Sequence, residues 1–277
     1  GIVFVRSEPG EPDREIRAEP RSVAATEFAT VLGDHSGAAI ATIEHVMAAL
    51  YGLGIDNAVV EIDGPEVPIL DGSAGPIVDA VQQAGTMTLQ ASRRYLKILK
   101  PIGVSAGESY GELRPHDGFR VEIDIEFDHP LIGRQSFAAD VTPDLFRSQL
   151  ARARTFGFTR DVARLWKAGY ALGASLENTV VVGDDSVVNA EGLRFPDEFV
   201  RHKALDAIGD LALAGAPLLG AYRSIRGGHR LNYAVLTALI ADATAWTMVE
   251  GREPVRHARG RSEMAAAPQP VFAPDLT

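Results

Sequence analysis

Within the stretch RFPDEFVRHKALDAIGD, residues 194–210, His202 and Asp206 stand four positions apart. Phe199, Leu205, Ala207 and Ile208 recur at helical spacing, and Pro196-Asp197-Glu198 suits a first turn, so the stretch is predicted to be one long helix. On such a helix the imidazole and the carboxylate project from the same face, one turn above the other. That spacing can grip a single divalent cation. Lys203 sits beside the pair, and Asp210 lies one turn beyond Asp206 in line with it. A second candidate is Glu44-His45 in ATIEHVMAALYGLGI. If His45 ligates a metal, the neighbouring carboxylate can take a proton from water, as in zinc hydrolases. Adjacent helical positions point about 100° apart, so Glu44 and His45 are not expected to share one core face. A third is His229 in IRGGHRLNY, at a permissive loop-to-helix junction. Each motif alone has an ordinary reading: a solvated charged helix face, a chance Glu-His pair, a capping histidine. Together they supply the parts of a metal-assisted hydrolysis.

The elements that must position these groups follow from the rest of the chain. Residues 2–6 read as a strand, a Pro- and charge-rich loop runs through Arg21, and residues 22–32 hold another strand or two. Thr42 is the expected N-cap of a helix whose Ile43, Val46, Met47 and Leu50 line one face, ended by Gly52 and Gly54. NAVVEIDG reads as a strand, EVPILDGSAGP as a loop and residues 76–84 as a short helix. Near residue 92 the pattern restarts. YLKILKPIGV, GELRPHD and FRVEIDIEF are predicted to be successive antiparallel strands, and Thr142 caps a helix from Pro143. A helical segment follows RARTFGF, then a hairpin through Gly183-Asp184-Asp185, the long helix, PLLGAYRSI as a strand, and a last helix over LNYAVLTALIADATAWTMV. The fold class is α+β, in two similar domains over residues 1–92 and 93–252. Each is a sheet packed on helices, with a hairpin insert near 170–182, a ligand cleft between the halves and a loose tail over 253–277.

Composition narrows the function. The chain has 277 residues, enough for one large domain or two, and 46% hydrophobic with 23% charged residues describes a globular protein with ample core. Acidic residues outnumber basic ones 37 to 27, a formal charge of −10, which argues against nonspecific nucleic-acid binding. With no cysteine, any zinc site must use His and carboxylates. No apolar run of about 18 residues is present, so no transmembrane segment is expected. The first residue is Gly rather than Met, which leaves room for a preceding segment.

The runs TIEHVMAALYGLGIDNAVVEIDGPEVPILDGSAGP, RPHDGFRVEIDIEFDHP, ARARTFGFTRDV, EGLRFPDEFVRHKALDAIGDLALAG and GGHRLN stand in one order over most of residues 22–245. In this the sequence resembles the UDP-3-O-acyl-N-acetylglucosamine deacetylase family, the zinc amidases of the committed step of lipid A biosynthesis. The resemblance implies that His45, His202 and Asp206 hold Zn2+ (Fe2+ being the alternative), with Glu44 as general base. It implies that Lys203 and Thr155 stabilise the oxyanion and that His229, oriented by Asp210, protonates the leaving amine. Phe127 would stack on uracil, Phe156 would join it in binding substrate, and Arg226 would lie near the diphosphate. Ala171, Ser175 and Leu176 would wall an acyl-chain passage. The partner implied is an acylated UDP-amino sugar, and the setting a monomer in the cytoplasm of a Gram-negative-type bacterium. The family carries a further N-terminal segment, with strands and a GVGLHSG-like turn, ahead of the point matching Gly1. Where the family has GGS this chain has Gly173-Ala174-Ser175, and GGHRLNY replaces SGHALNN. Those departures leave two alternatives: a paralogue acting on another N-acetylated sugar, or a sugar-nucleotide-binding protein without catalysis. Retention of Glu44, Lys203, His229 and Asp210 disfavours the second.

Overall fold

The computed structural model describes residues 1–33 and 37–251; the expected tail over 253–277 lies outside the described residues. In chain order the first elements are β1 (Ile2–Arg6), β2 (Arg14–Arg17), β3 (Val23–Ala25), β4 (Val31–Gly33), β5 (Ala39–Ile40), α1 (Glu44–Gly52), β6 (Ala58–Ile62) and α2 (Gly75–Ala84). β1 is central in a three-stranded sheet, antiparallel to β2 and parallel to β6, while β3, β4 and β5 form a second, antiparallel sheet. β2 falls inside the predicted loop. Its sequence, REIR, buries only Ile16, and the charges either side suit an edge strand but hide its alternation.

α1 starts at Glu44, and the expected cap does not form. Thr42 has a left-handed φ of 60°, and its hydroxyl donates to Glu66 Oε1 at 2.6 Å. The loop containing Glu66 claims it: Ala41 N–H donates to Pro65 C=O, and Val67 N–H to Ala41 C=O. Almost every residue of α1 is buried, including Glu44 and His45, so the helix is enclosed on all sides rather than amphipathic.

The remaining elements are β7 (Arg94–Ile98), β8 (Ile102–Ala106), β9 (Ser109–Arg114), β10 (Phe119–Glu126), β11 (Arg134–Asp140), α3 (Pro143–Leu145), β12 (Phe156–Phe158), α4 (Thr159–Lys167), β13 (Val180–Val182), α5 (Glu198–Leu211), β14 (Leu218–Ile225), α6 (His229–Ala241) and β15 (Trp246–Glu250). Thr142 does cap α3, its Oγ1 accepting from Leu145 N–H, and a π-helical turn over residues 146–150 continues it. The strands from β7 to β10 are not a simple antiparallel succession. β8–β9 and β10–β11 are hairpins, but β14 from far downstream lies parallel to β10 and, on its other edge, parallel to β7 and antiparallel to β9. Alternation specifies which face of a strand is buried; it does not specify the partner.

Two further expectations change. Val180–Val182 pairs in parallel with β12 across α4, so the insert is a β-α-β unit rather than a hairpin; the Gly183–Ser186 turn closes only a Val182–Val187 bridge. The last helix ends at Ala241, and the β-branched and aromatic run TMV with Trp246 becomes β15 against β7. The fold is α+β, helices packed on sheets, around one continuous apolar cluster that includes Phe4, Met47, Leu205, Ile208 and Leu236. Among the described residues no helix is long and apolar enough to cross a membrane.

α5 begins at Glu198, four residues later than predicted. The Glu198 carboxylate turns back to accept from Arg194 N–H (2.6 Å), Arg154 N–H (2.9 Å) and Arg154 Nε (2.9 Å). Both members of this Arg154–Glu198 pair are essentially sealed from solvent. Glu198→Ala leaves the buried Arg154 guanidinium with only Glu191 and the Gly192 carbonyl as partners among the described residues and is expected to cost about 3 kcal/mol in denaturant unfolding. A loss below about 1 kcal/mol, the range of an exposed pair, would contradict the buried-pair assignment.

Candidate active site

α1 and α5 cross at Gly209, where an added Cβ would lie 2.1 Å from the Glu44 carbonyl oxygen. This backbone approach brings His45 of α1 against His202 and Asp206 of α5. The two imidazoles meet edge to face with centroids 5.1 Å apart. Asp206 Oδ1 lies 3.3 Å from His202 Nε2 and 3.8 Å from His45 Nε2. One ligand atom from each of the three residues falls within 4.8 Å of the others, and all three residues are buried.

The protonation states fit a cation. His202 Nδ1 bonds the Ala153 carbonyl oxygen at 3.0 Å, which places its proton on Nδ1 and leaves the Nε2 lone pair facing the cluster. Burial, followed by repulsion from His202, holds His45 down to about 3, and burial lowers His202 as well, so both rings are neutral and able to ligate a cation. Burial opposes ionisation of Asp206, but the charged Lys203 and His229 outweigh it and hold the carboxyl well below its usual range. Asp206 Oδ1 is nonetheless buried with no hydrogen-bond partner among the described residues. An ionised oxygen facing the His202 lone pair without a proton between them is stabilised by a positive ion beside it.

The acid and base candidates border the same cluster. Glu44 Oε2 accepts from Thr30 N–H at 3.1 Å, and burial pushes its carboxyl up to about 7. Glu44 and His45 are both enclosed without sharing a face, in keeping with the expectation for adjacent helical residues. The reason is that α1 has partners on both flanks, Thr30 on one and His202 on the other. His229 is the first residue of α6, and its Nδ1 bonds Asp210 Oδ2 at 2.9 Å. Burial opposes charge on this ring, but the Asp210 carboxylate outweighs it and holds His229 up at about 9, charged near neutrality. Its Nε2 is 4.0 Å from Asp206 Oδ2. Lys203 Nζ donates to that same Oδ2 at 2.7 Å; burial would lower its pKa, but Asp206 raises it instead.

The remaining expected site residues fall into three groups. Thr155 lies between Ala153, which holds His202, and Phe156, whose ring is 6.4 Å from that of His202 and 5.7 Å from Lys203 Nζ. Phe127 packs on Phe156 with centroids 5.6 Å apart, so both aromatics adjoin the cluster. Arg226 lines a cavity of about 510 Å³ together with His229, Phe28 and Ser109, and pairs with Glu108 and Glu126. Ala171, Ser175 and Leu176 sit in the exposed turns between α4 and β13, outside the buried cluster. There Tyr170 packs against Phe28, centroids 4.6 Å apart.

Sequence reasoning missed two buried polar residues. Asn232 donates to Asp210 Oδ2 at 2.7 Å and accepts from Tyr222 at 2.6 Å. Its position one turn after His229 could have flagged it. Thr30 donates its hydroxyl to Asp210 Oδ1 at 2.6 Å. No local signal distinguishes it, since an isolated Thr beside a strand is ordinary.

The chain matches the model of a family described as UDP-3-O-acyl N-acetylglycosamine deacetylase over residues 1–241. Proteins named UDP-3-O-acyl-N-acetylglucosamine deacetylase from Brucella ovis, Brucella canis and Brucella melitensis biotype 2 are each 55% identical to it over 251 residues, covering 90% of this chain and 87% of theirs.

Proposed function

The chain belongs to the UDP-3-O-acyl N-acetylglycosamine deacetylase family, and from that membership we infer that it hydrolyses the N-acetyl group of UDP-3-O-acyl-N-acetylglucosamine, releasing acetate, in lipid A biosynthesis. The observation that best supports catalysis by this chain is the meeting, in one buried cluster, of three metal-ligand side chains, a carboxyl raised to about 7 and a histidine held charged. His45, His202 and Asp206 fit a divalent cation, which we take to be Zn2+, with Fe2+ the alternative. Bound there, the ion supplies Lewis-acid polarisation of the amide carbonyl and makes water more acidic.

The chain's own residues do the rest. Glu44 accepts a proton from the attacking water as its oxygen bonds to the acetyl carbon. Lys203 and Thr155 stabilise the negative charge that develops on the carbonyl oxygen. As the C–N bond breaks, His229 gives its proton to the departing sugar nitrogen, and Asp210 keeps Nδ1 engaged so that the other ring nitrogen faces the reaction. Phe127 and Phe156 bind the uridine end, Arg226 the diphosphate, and Ala171, Ser175 and Leu176 flank the acyl chain. The exposed side chains of Trp166, Tyr170 and Leu172 nearby support a place for an aliphatic tail. We place the protein in the cytoplasm, acting as a monomer.

Acetate release from the acylated UDP-sugar, measured beside its non-acylated analogue across a pH series, tests this reading. The acylated substrate is expected to be strongly preferred, and equal rates on both would favour a paralogue with another substrate. Glu44 works ionised, so kcat/KM falls as pH drops through about 7; His229 works protonated, so it falls again as pH rises through about 9. Asp210→Asn removes the charge that raises His229, and the alkaline limb is expected to move down by about one unit or more. An unmoved alkaline limb would mean that it does not report His229.

A further inference from the structure

We propose that Thr30 is a positioning residue that fixes the base and the acid of the reaction relative to each other. The proposal rests on the deacetylase reading above and adds to it a residue outside the metal, acid and base set. Thr30 lies immediately before β4, is essentially without solvent exposure, and spends all its polar groups on the site. Its N–H donates to Glu44 Oε2 (3.1 Å), its C=O accepts from Ile43 N–H (3.3 Å), and its Oγ1 donates to Asp210 Oδ1 (2.6 Å). One residue therefore bonds the carboxylate that takes the proton and the carboxylate that orients the proton donor, on two different helices.

The hydroxyl completes a directional set around Asp210. Oδ2 is taken by His229 Nδ1 at 2.9 Å and by Asn232 Nδ2 at 2.7 Å, itself held by the Tyr222 hydroxyl at 2.6 Å. Those contacts all pull on one oxygen, and rotation of the carboxyl group about its Cβ–Cγ bond is opposed from the other side by Thr30 on Oδ1. Without that hydroxyl, a buried oxygen loses its partner and the carboxylate is free to tilt, carrying the His229 ring with it. The base keeps its own tether because the Thr30 N–H is main chain.

Thr30→Val keeps the shape and the main-chain bond and deletes the hydroxyl; Thr30→Ser restores the hydroxyl. With zinc-loaded protein, Thr30→Val is expected to lower kcat about 10- to 100-fold, the scale of a small misplacement of a reacting group, with KM within about twofold. Metal content is expected to stay at the wild-type level, and Thr30→Ser to recover most of the rate. The Nδ1 proton of His229, followed by nitrogen-15 NMR, is expected to be sharp in wild type and Thr30→Ser and shifted or broadened in Thr30→Val. Should Thr30→Val fail to fold, Thr30→Ala, which opens space instead of burying a methyl, carries the same expectations. Wild-type kcat in the hydroxyl-less variant, or equal impairment of Thr30→Ser, would overturn the proposal and leave the deacetylase reading standing. A wild-type protein that releases no acetate would instead overturn the deacetylase reading, and the NMR comparison would then decide alone whether Thr30 sets the geometry of His229.

Discussion

Glu44→Gln is expected to fold, to bind metal as the wild type does, and to lose a factor of about 10² or more in kcat, the scale of a positioned general base. The substitution is isosteric, and an amide oxygen can still accept the Thr30 N–H that holds Oε2 at 3.1 Å. What disappears is a group that can take a proton. KM should change little, because a loss confined to the transition state lowers kcat and kcat/KM together. His45, next in sequence, keeps its orientation because its surroundings on α5 are untouched. Near-normal turnover would mean that another group takes the proton, and the role assigned to Glu44 would fail.

Gly209→Ala is expected to damage the site from a residue that touches no substrate. The new methyl carbon would lie 2.1 Å from the Glu44 carbonyl oxygen and 2.9 Å from its carbonyl carbon, both backbone atoms that cannot rotate away. α1 must therefore move off α5. Overpacking of this kind costs about 1–3 kcal/mol of stability. The functional loss is expected to be larger, since a displacement of about 1 Å can cost 100-fold in rate. Here it separates His45 from His202 and Asp206 and also moves Glu44. Reduced metal occupancy with a cooperative unfolding transition is the expected result. Full occupancy and full activity would show that the helix crossing does not set the ligand geometry.

How much of this was legible in the sequence depends on the range of the interaction. The His202–Asp206 pair is readable because helical periodicity is local, and the other roles proposed rest on the runs shared with the family. The start of α5 was misplaced because Glu198 serves a buried arginine 44 residues upstream rather than an ordinary first turn. β14 could not be placed beside β10, β9 and β7 from alternation, which reads out faces and not neighbours. β2 was hidden by its own edge charges, and β15 by a helical pattern that the turn at Asp242 interrupts. Thr30 was invisible for the strongest reason: its significance arises only when β4, α1 and α5 are brought together, and nothing in EFATVLG announces it. Gly209 shows the same limit, since a glycine inside a helix reads as a weakness until the partner backbone lies against it.

Catalysis is proposed to depend on one metal site formed by His45, His202 and Asp206. Elemental analysis of the purified protein, with acetate release measured on the same samples, tests it most directly. One divalent ion per chain is expected in the wild type, and His202→Ala is expected to lose both ion and activity, because two remaining ligands hold an open-site cation weakly. A variant with His45, His202 and Asp206 all replaced that still carries a full equivalent of metal would contradict the account.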